Sequence, residues 1–530
     1  MSQEKLIPAD QTKCAELARF VVRTTFEDLP EAIAQKAVRH ILDSIGAGTA
    51  GAIAPETTIL TQTLHAAGEG SGAAPLWGRG EKMTPLNAAL VNGTASHAFE
   101  LDDTGGCDHS GAVVVPAAVA ALELAGRPVS GKEFITAVVL GYDIARRALE
   151  ACGAYEPHNG AGFHSTGTCG PFGAAAAAAK ILGLNALQTR HALGIASAYS
   201  GGLWACVHDG AQNKRLHAGH AAQGGLMSAL LARQGFTGPA QAFEEVWGGF
   251  NHSYAPTSSD PDAWLRDLGK NWKLARVSIK PHASCRSTHS SIDAVDNLMA
   301  KYGFKADEIA EILIIINPFV YGMCGGTAIH PMNAAQLSIP YSVAADLVFG
   351  SASLASFTRE KREDPRIAET MAKIRFEVDK RQKDDDEPIV QVTLKDGRAF
   401  ETRVPMPLGS PVNPVTDEAL LKKFRSVVGM VLSPADVDAL AERLLSLIEV
   451  TDVRAEVAEI LGTHACAQGS VPRLTCAIKS SRPADSHSPA DGPHRGKTRG
   501  SMLFYPSSLP LLRRASGRQR HRLLPAESRY

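Results

Sequence analysis

The segment HAFELDDTGGCDHSG, His97 to Gly111, crowds acidic residues, two histidines and a threonine between two small, apolar stretches, LNAALVNGTAS and AVVVPAAVAALELAG. Imidazoles beside carboxylates move protons near neutral pH, because histidine titrates there and a neighbouring acid tunes and orients it. If residues 97–104 are helical, His97, Glu100 and Thr104 fall at i, i+3 and i+7 and share a face. Asp102 and Asp103 then point elsewhere, to a cap or a neighbour. Gly105 and Gly106 break that helix and leave His109 on a loop before the next apolar helix. The same composition also suits an acidic patch at a helix end, and this segment alone leaves both readings open.

Three later stretches add to it. GAGFHSTGTCGPFG sets His164 in a loop of small polar residues, just ahead of an alanine run. DGAQNKRLHAGHAAQGG places Lys214, His217 and His220 at i, i+3 and i+6. SIKPHASCRSTHS puts Lys280 and His282 where the composition changes, and substrate sites favour such boundaries. These cations sit among Ala, Gly and Ser, which suits a lined pocket better than a solvated face. GEGSGA lacks the GxGxxG spacing and a preceding strand, and no P-loop, HExxH, GxSxG or CxxC occurs. His217 and His220 have no evident third ligand, so neither a metal nor a cofactor is expected.

The elements that must position these residues follow from the rest of the chain. Its 530 residues imply two or three domains. Aromatics are 6% while Ala and Gly abound, which favours closely packed helices. The 54 basic and 55 acidic residues give no field for nucleic acid or membrane partners. No signal core and no membrane-length apolar run is present, and nine scattered cysteines suggest reduced thiols, so a cytoplasmic location is expected.

Residues 1–275 read as helix after helix. DLPEAIAQKAVRHILDSIGAG is expected to start at Asp28 and stop at Gly46. Ser130 and Glu133 form a capping box, and GPFGAAAAAAKILGLN is expected to open after Pro171. Residues 276–408 turn β-rich in VSIKP, EILIIINPF, KIRFEVDK and PIVQVTLKDGRAFETRV, the last with an Asp396-Gly397 hairpin signal. The helix STHSSIDAVDNLMAKYG lies among them, making a smaller α+β unit. Residues 409–465 return to helix, with Ser433 as an N-cap. Residues 479–530 carry eleven Lys and Arg against three Asp and Glu, lack periodicity and are expected to be a disordered basic tail.

In order along the chain, NGTASHAFELDDT…HSGAVVVPAAVA, FHSTGTCGPFGAAAAAAKILGL, NKRLHAGHAAQGGLMSALLARQGFTGP, IKPHASCRSTHSSIDAV and AAQLSIPYSVAADLVFG resemble blocks of the MmgE/PrpD family, which includes 2-methylcitrate dehydratase, cis-aconitate decarboxylase and iminodisuccinate epimerase. The resemblance covers about residues 10–460. It implies a large all-helical domain and a smaller α+β lid, an active site between them, no metal or organic cofactor, and often a homodimer. It implies roles for Glu100, Thr104, His109 and His164 in catalysis. Lys214, Lys280 and His282 follow for substrate binding, with His217 beside them. A lyase acting on a di- or tricarboxylate of citrate or aconitate type is expected. Dehydration stands first, then decarboxylation, then epimerisation, and an inactive binding homologue is the remaining alternative. The loop TGGCDHSG departs from several relatives by lacking their HP element.

Overall fold

Small residues let the helices of the first half approach closely. Helices α1 (Glu31–Gly51), α2 (Pro85–His97), α3 (Gly111–Leu122), α4 (Gly131–Ala151), α5 (Ser165–Ile181) and α6 (Asn213–Arg233) pack into one body. Within it α6 lies against α5 and α2, α4 against α5, and α1 against α2. The alanine run Ala174–Ala179 is buried throughout on α5. The computed structural model describes residues 6–462 apart from residue 384, so the basic tail and the last residues of the return segment lie outside the described residues.

Two helices run further than their sequences suggest. Helix α1 continues past Gly46 to Gly51. Glycine there serves packing rather than termination, because a Cβ on Gly51 would lie 1.9 Å from the Ala95 carbonyl oxygen of α2. Helix α5 begins at Ser165 and carries Pro171 inside it. The carbonyl that a proline leaves without its helical partner is that of Gly167, and it accepts from the Gly201 amide at 3.2 Å. Other local signals appear as read. Ser130 and Glu133 cap α4 reciprocally, and the Ser433 side chain accepts from the Asp436 amide.

The first half is not all helical, since Ala74–Leu76 and Glu81–Met83 pair as a two-stranded antiparallel sheet, but the second half carries the larger sheet. Helix α7 (Arg286–Tyr302) precedes β1 (Ile309–Ile316), followed by β2 (Ile374–Val378), β3 (Ile389–Leu394) and β4 (Ala399–Arg403). The spatial order is β2-β1-β3-β4, with β1–β2 parallel and the other two pairings antiparallel. Gly397, with φ of 88°, makes the turn between β3 and β4. Ile312, Ile314 and Ile316 of β1 and Val390, Val392 and Leu394 of β3 are buried in alternation, and α7 packs on β3 and β4. VSIKP joins no sheet. Its Ser278 instead forms an isolated two-residue bridge with Thr104.

Helices α8 (Asp417–Val428) and α9 (Pro434–Leu445) return to pack on α1. A continuous hydrophobic core runs from Cys14 through the helices and Ile314 of the sheet to Leu461. The architecture is thus mainly α, a large helical part with a smaller α+β part. The seven described cysteines are free thiols. Among the described residues no helix is long and apolar enough to cross a membrane.

The α2–α6 crossing depends on glycine. A Cβ on Gly219 of α6 would lie 2.2 Å from the Leu90 carbonyl oxygen of α2. Since backbone, not a mobile side chain, blocks that position, Gly219→Ala should destabilise the protein by about 1–3 kcal/mol. Urea unfolding monitored by circular dichroism would register this as a lower midpoint at unchanged slope.

Candidate active site

Helix α2 ends at His97, so His97, Glu100 and Thr104 do not share a helical face. Glu100 adopts φ of 53°, in the left-handed region, which turns the chain out of the helix. The loop then crosses to residue 278. The Thr104 amide donates to the Ser278 carbonyl at 3.0 Å, and the Ser278 amide returns a bond to the Thr104 carbonyl at 2.7 Å. That bridge brings Lys280 alongside Glu100.

Glu100 is the floor of the site. It is 1% exposed and faces three cations. Lys214 Nζ lies 2.5 Å and Arg215 Nη1 2.6 Å from Oε1, and Lys280 Nζ lies 3.4 Å from Oε2. Burial alone would raise the carboxyl pKa, but the attraction of these cations outweighs it and holds Glu100 well below the usual range. Burial opposes the charge on Lys280, yet Glu100 raises its pKa above the ordinary value. Left-handed backbone at a non-glycine residue costs about 1–3 kcal/mol, and the three ion pairs hold it there.

Above this floor stand four imidazoles in different states. His109 Nδ1 donates to the Asp103 carbonyl at 2.8 Å and lies 3.1 Å from Asp102 Oδ2, while its Nε2 is 3.5 Å from Asp108 Oδ1. Burial disfavours its charged form, but Asp108 and Asp102 prevail and raise its pKa above the histidine norm. His97 Nδ1 donates to Asp102 Oδ2 at 2.9 Å, yet its complete burial keeps its pKa well below the norm. His164 and His217 share a hydrogen bond at 2.9 Å between their Nδ1 atoms. Burial lowers their pKa values to about 4 and about 3. His109 is therefore the one of these four imidazoles whose charged form its surroundings favour.

A cavity of about 810 Å³ opens onto this cluster. Glu100, Thr104, Asp108, His109, Trp204 and Lys214 line its inner part. His164 lies one layer behind, its ring 4.5 Å from that of Trp204 and its Nε2 3.6 Å from Asp108 Oδ2. Lys280 is buried against Glu100 rather than exposed to the cavity. His282 turns away, with its Nε2 3.5 Å from Asp293 and its ring against His289, outside the cavity lining.

Asp102, Asp108, Arg215 and Trp204 belong to this constellation and were not singled out from their types. Asp103, equally buried, accepts from Tyr142 at 2.5 Å and from the Gly111 amide at 2.9 Å, and lies 3.0 Å from His40 Nδ1. It thereby anchors the loop whose carbonyl receives His109. One ring nitrogen from each of His97, His109 and His164 lies within 4.8 Å of the others, a spacing that suits a metal ion.

Comparison with known proteins decides the family. The MmgE/PrpD N-terminal domain model matches residues 15–261, and the C-terminal domain model matches residues 282–447. The chain belongs to the MmgE/PrpD family. Among curated proteins, it is 30% identical over 472 residues to the "Cis-aconitate decarboxylase-like protein oryM" of Aspergillus oryzae, covering 84% of this chain and 97% of that protein. It is 27% identical to the cis-aconitate decarboxylase of Aspergillus terreus (83% and 94% covered) and 29% identical to that of Homo sapiens (80% and 89% covered). The two MmgE/PrpD domain models thus span both the helical part and the strand-bearing part of the chain.

Replacing Glu100 tests the floor. Glu100→Gln strands three buried cations and should cost about 3–5 kcal/mol at neutral pH. Because the folded-state pKa of Glu100 is depressed, its contribution is fully present above about pH 4.5 and lost as pH falls through the folded value. Denaturant unfolding at pH 7 and at pH 4 should therefore show the variant's deficit shrinking toward acid.

Proposed function

We propose that the chain is a lyase that decarboxylates a tricarboxylate of the cis-aconitate type, with His109 as the proton donor. The observation that carries this reading is the asymmetry of the cavity wall. The imidazole facing substrate space is the one whose pKa is raised, whereas the neutral His164 stands behind Asp108 and Trp204. Decarboxylation needs a donor to carbon and no base. Dehydration needs a base to take an α-proton as well, and Asp108 is a poor base because His109 and His164 hold its carboxylate far below the usual range despite burial. The names of the relatives agree with this order, which reverses the one suggested by the resemblance alone.

In the proposed reaction, Lys214 receives a substrate carboxylate and so places the reacting carbons beside His109. The bond to a second carboxyl group breaks and CO₂ leaves. The electron pair of that bond shifts through the adjacent double bond toward the carbon beside a remaining carboxylate. That carbon takes the proton from His109 Nε2, and His109 regains one from solvent. Lys280 and Arg215 act on this anion at one remove, by keeping Glu100 ionised and Lys214 in place. Asp102 holds the imidazole through Nδ1, while Thr104 donates to Asp108 at 3.2 Å and fixes the carboxylate opposite Nε2.

Two measurements test the reading. Purified protein incubated with cis-aconitate, citrate and 2-methylcitrate should release CO₂ from the first alone, followed by NMR. Loss of water from either hydroxy acid as the main reaction would overturn it in favour of dehydration. His109→Ala should reduce turnover by about 10²–10⁴-fold with the fold intact by circular dichroism.

The pH profile supplies a second, independent check. The donor form of His109 exists below its raised pKa, so turnover should fall as pH rises through that value. Asp102→Asn removes one of the two carboxylates that raise it, and should move this basic limb to lower pH. An unmoved limb would mean that another group donates the proton.

A further inference from the structure

Glu150, behind the cavity wall, repeats the arrangement that Glu100 makes at the floor. Its Oε1 accepts from Arg146 Nε at 3.0 Å, its Oε2 lies 2.7 Å from Lys273 Nζ, and Arg276 Nη1 stands 3.6 Å from Oε1. One carboxylate again faces three cations, so positive charge is left in excess. Arg146 and Arg276 both line the cavity that holds His109 and Lys214. Arg146 Nη1 also donates to the Gly106 carbonyl at 3.2 Å, which sets this cluster against the far side of the loop that carries His109. Partial desolvation of the half-exposed Arg276 lowers its pKa, the neighbouring charge of Arg146 lowers it further, and Glu150 acts in the opposite sense. Two carboxylates elsewhere in the cavity lining are engaged already. Glu387 accepts from Arg286 at 2.6 Å, and Asp386 accepts from the Lys383 amide at 2.8 Å.

We propose that Arg146 and Arg276 form a distal carboxylate subsite that makes the enzyme select tricarboxylates over dicarboxylates. The guanidinium fork matches a carboxylate in plane and spacing, and the excess charge around Glu150 awaits an anion. A substrate with three carboxylates can place one at Lys214 and one at this subsite, leaving the third to react beside His109. A dicarboxylate fills the positions at Lys214 and beside His109 and has no carboxylate left for this subsite. The inference rests on the polycarboxylate reading above and adds to it the residues that count the carboxylates.

The test uses two unreactive acids that differ by one carboxylate, tricarballylate and glutarate, titrated calorimetrically into the full-length protein. The wild type should bind tricarballylate more tightly. Arg276→Gln, at a half-exposed position that can lose its charge without disturbing the fold, should weaken tricarballylate by about tenfold or more, the size of one lost charge-assisted contact, and leave glutarate within about twofold. KM for cis-aconitate should rise by a similar factor with kcat changed by less than about threefold, a split that general damage to the site would not produce. Equal losses for both acids, or none for either, would overturn the subsite while leaving the polycarboxylate reading intact. A wild type that binds neither acid would overturn both.

Discussion

One buried carboxylate with three buried cations is the constraint on which the site is built. Glu100 without Lys214, Arg215 and Lys280 would be driven to protonate by its burial, and those cations without Glu100 would repel one another in a dry interior. Each part makes the others tenable. The partners come from remote stretches: a loop after α2, the first turn of α6 and the segment ahead of α7. The cluster therefore fixes where these stretches sit relative to one another, and the cavity is the space they enclose. Gly219 serves the same end, since the close α2–α6 crossing sets the first turn of α6 against that loop.

On this frame the protein separates the titration of chemically identical groups. His109 is pressed between two carboxylates, which favour its charged form, while His97, also beside Asp102, is buried further and its charged form is disfavoured. His164 and His217 face each other and cannot both be charged without repulsion. Environments that push like groups apart in this way are how a site assigns donor and bystander without a change of residue type.

Local features were legible in the sequence because their partners are local. The capping box at Ser130, the cap at Ser433 and the turn at Gly397 each involve residues three or four apart. Where glycine or proline was read as a boundary, as at Gly46 and Pro171, the reading failed, because tertiary neighbours gave those residues another use. The same division runs through the site. Glu100, Thr104, His109 and Lys214 have types that announce chemistry, and the fold brings them to one cavity. Arg215 and Arg146 look like ordinary surface charges until Glu100 and Gly106, far away in sequence, are known to face them, and Asp102 and Asp108 look like part of an acidic helix end until the loop is seen to turn them toward the histidines. His282 shares a motif with Lys280, but the chain bends over residues 281–284, so the two side chains part company.

The return of the chain to the helical body has its own bearing on the site. Lys423 of α8 reaches in with a single ammonium, donating to Asp43 Oδ1 at 2.6 Å and to the carbonyls of Leu101 and Lys280 at 2.8 Å each. It stitches the loop holding Glu100 to the segment holding Lys280 from a position more than three hundred residues beyond the first of them. During synthesis on a ribosome, the other participants emerge long before this one. The contact that ties these two stretches together is thus supplied by a helix made after every other participant in it, so it forms only once that helix folds back.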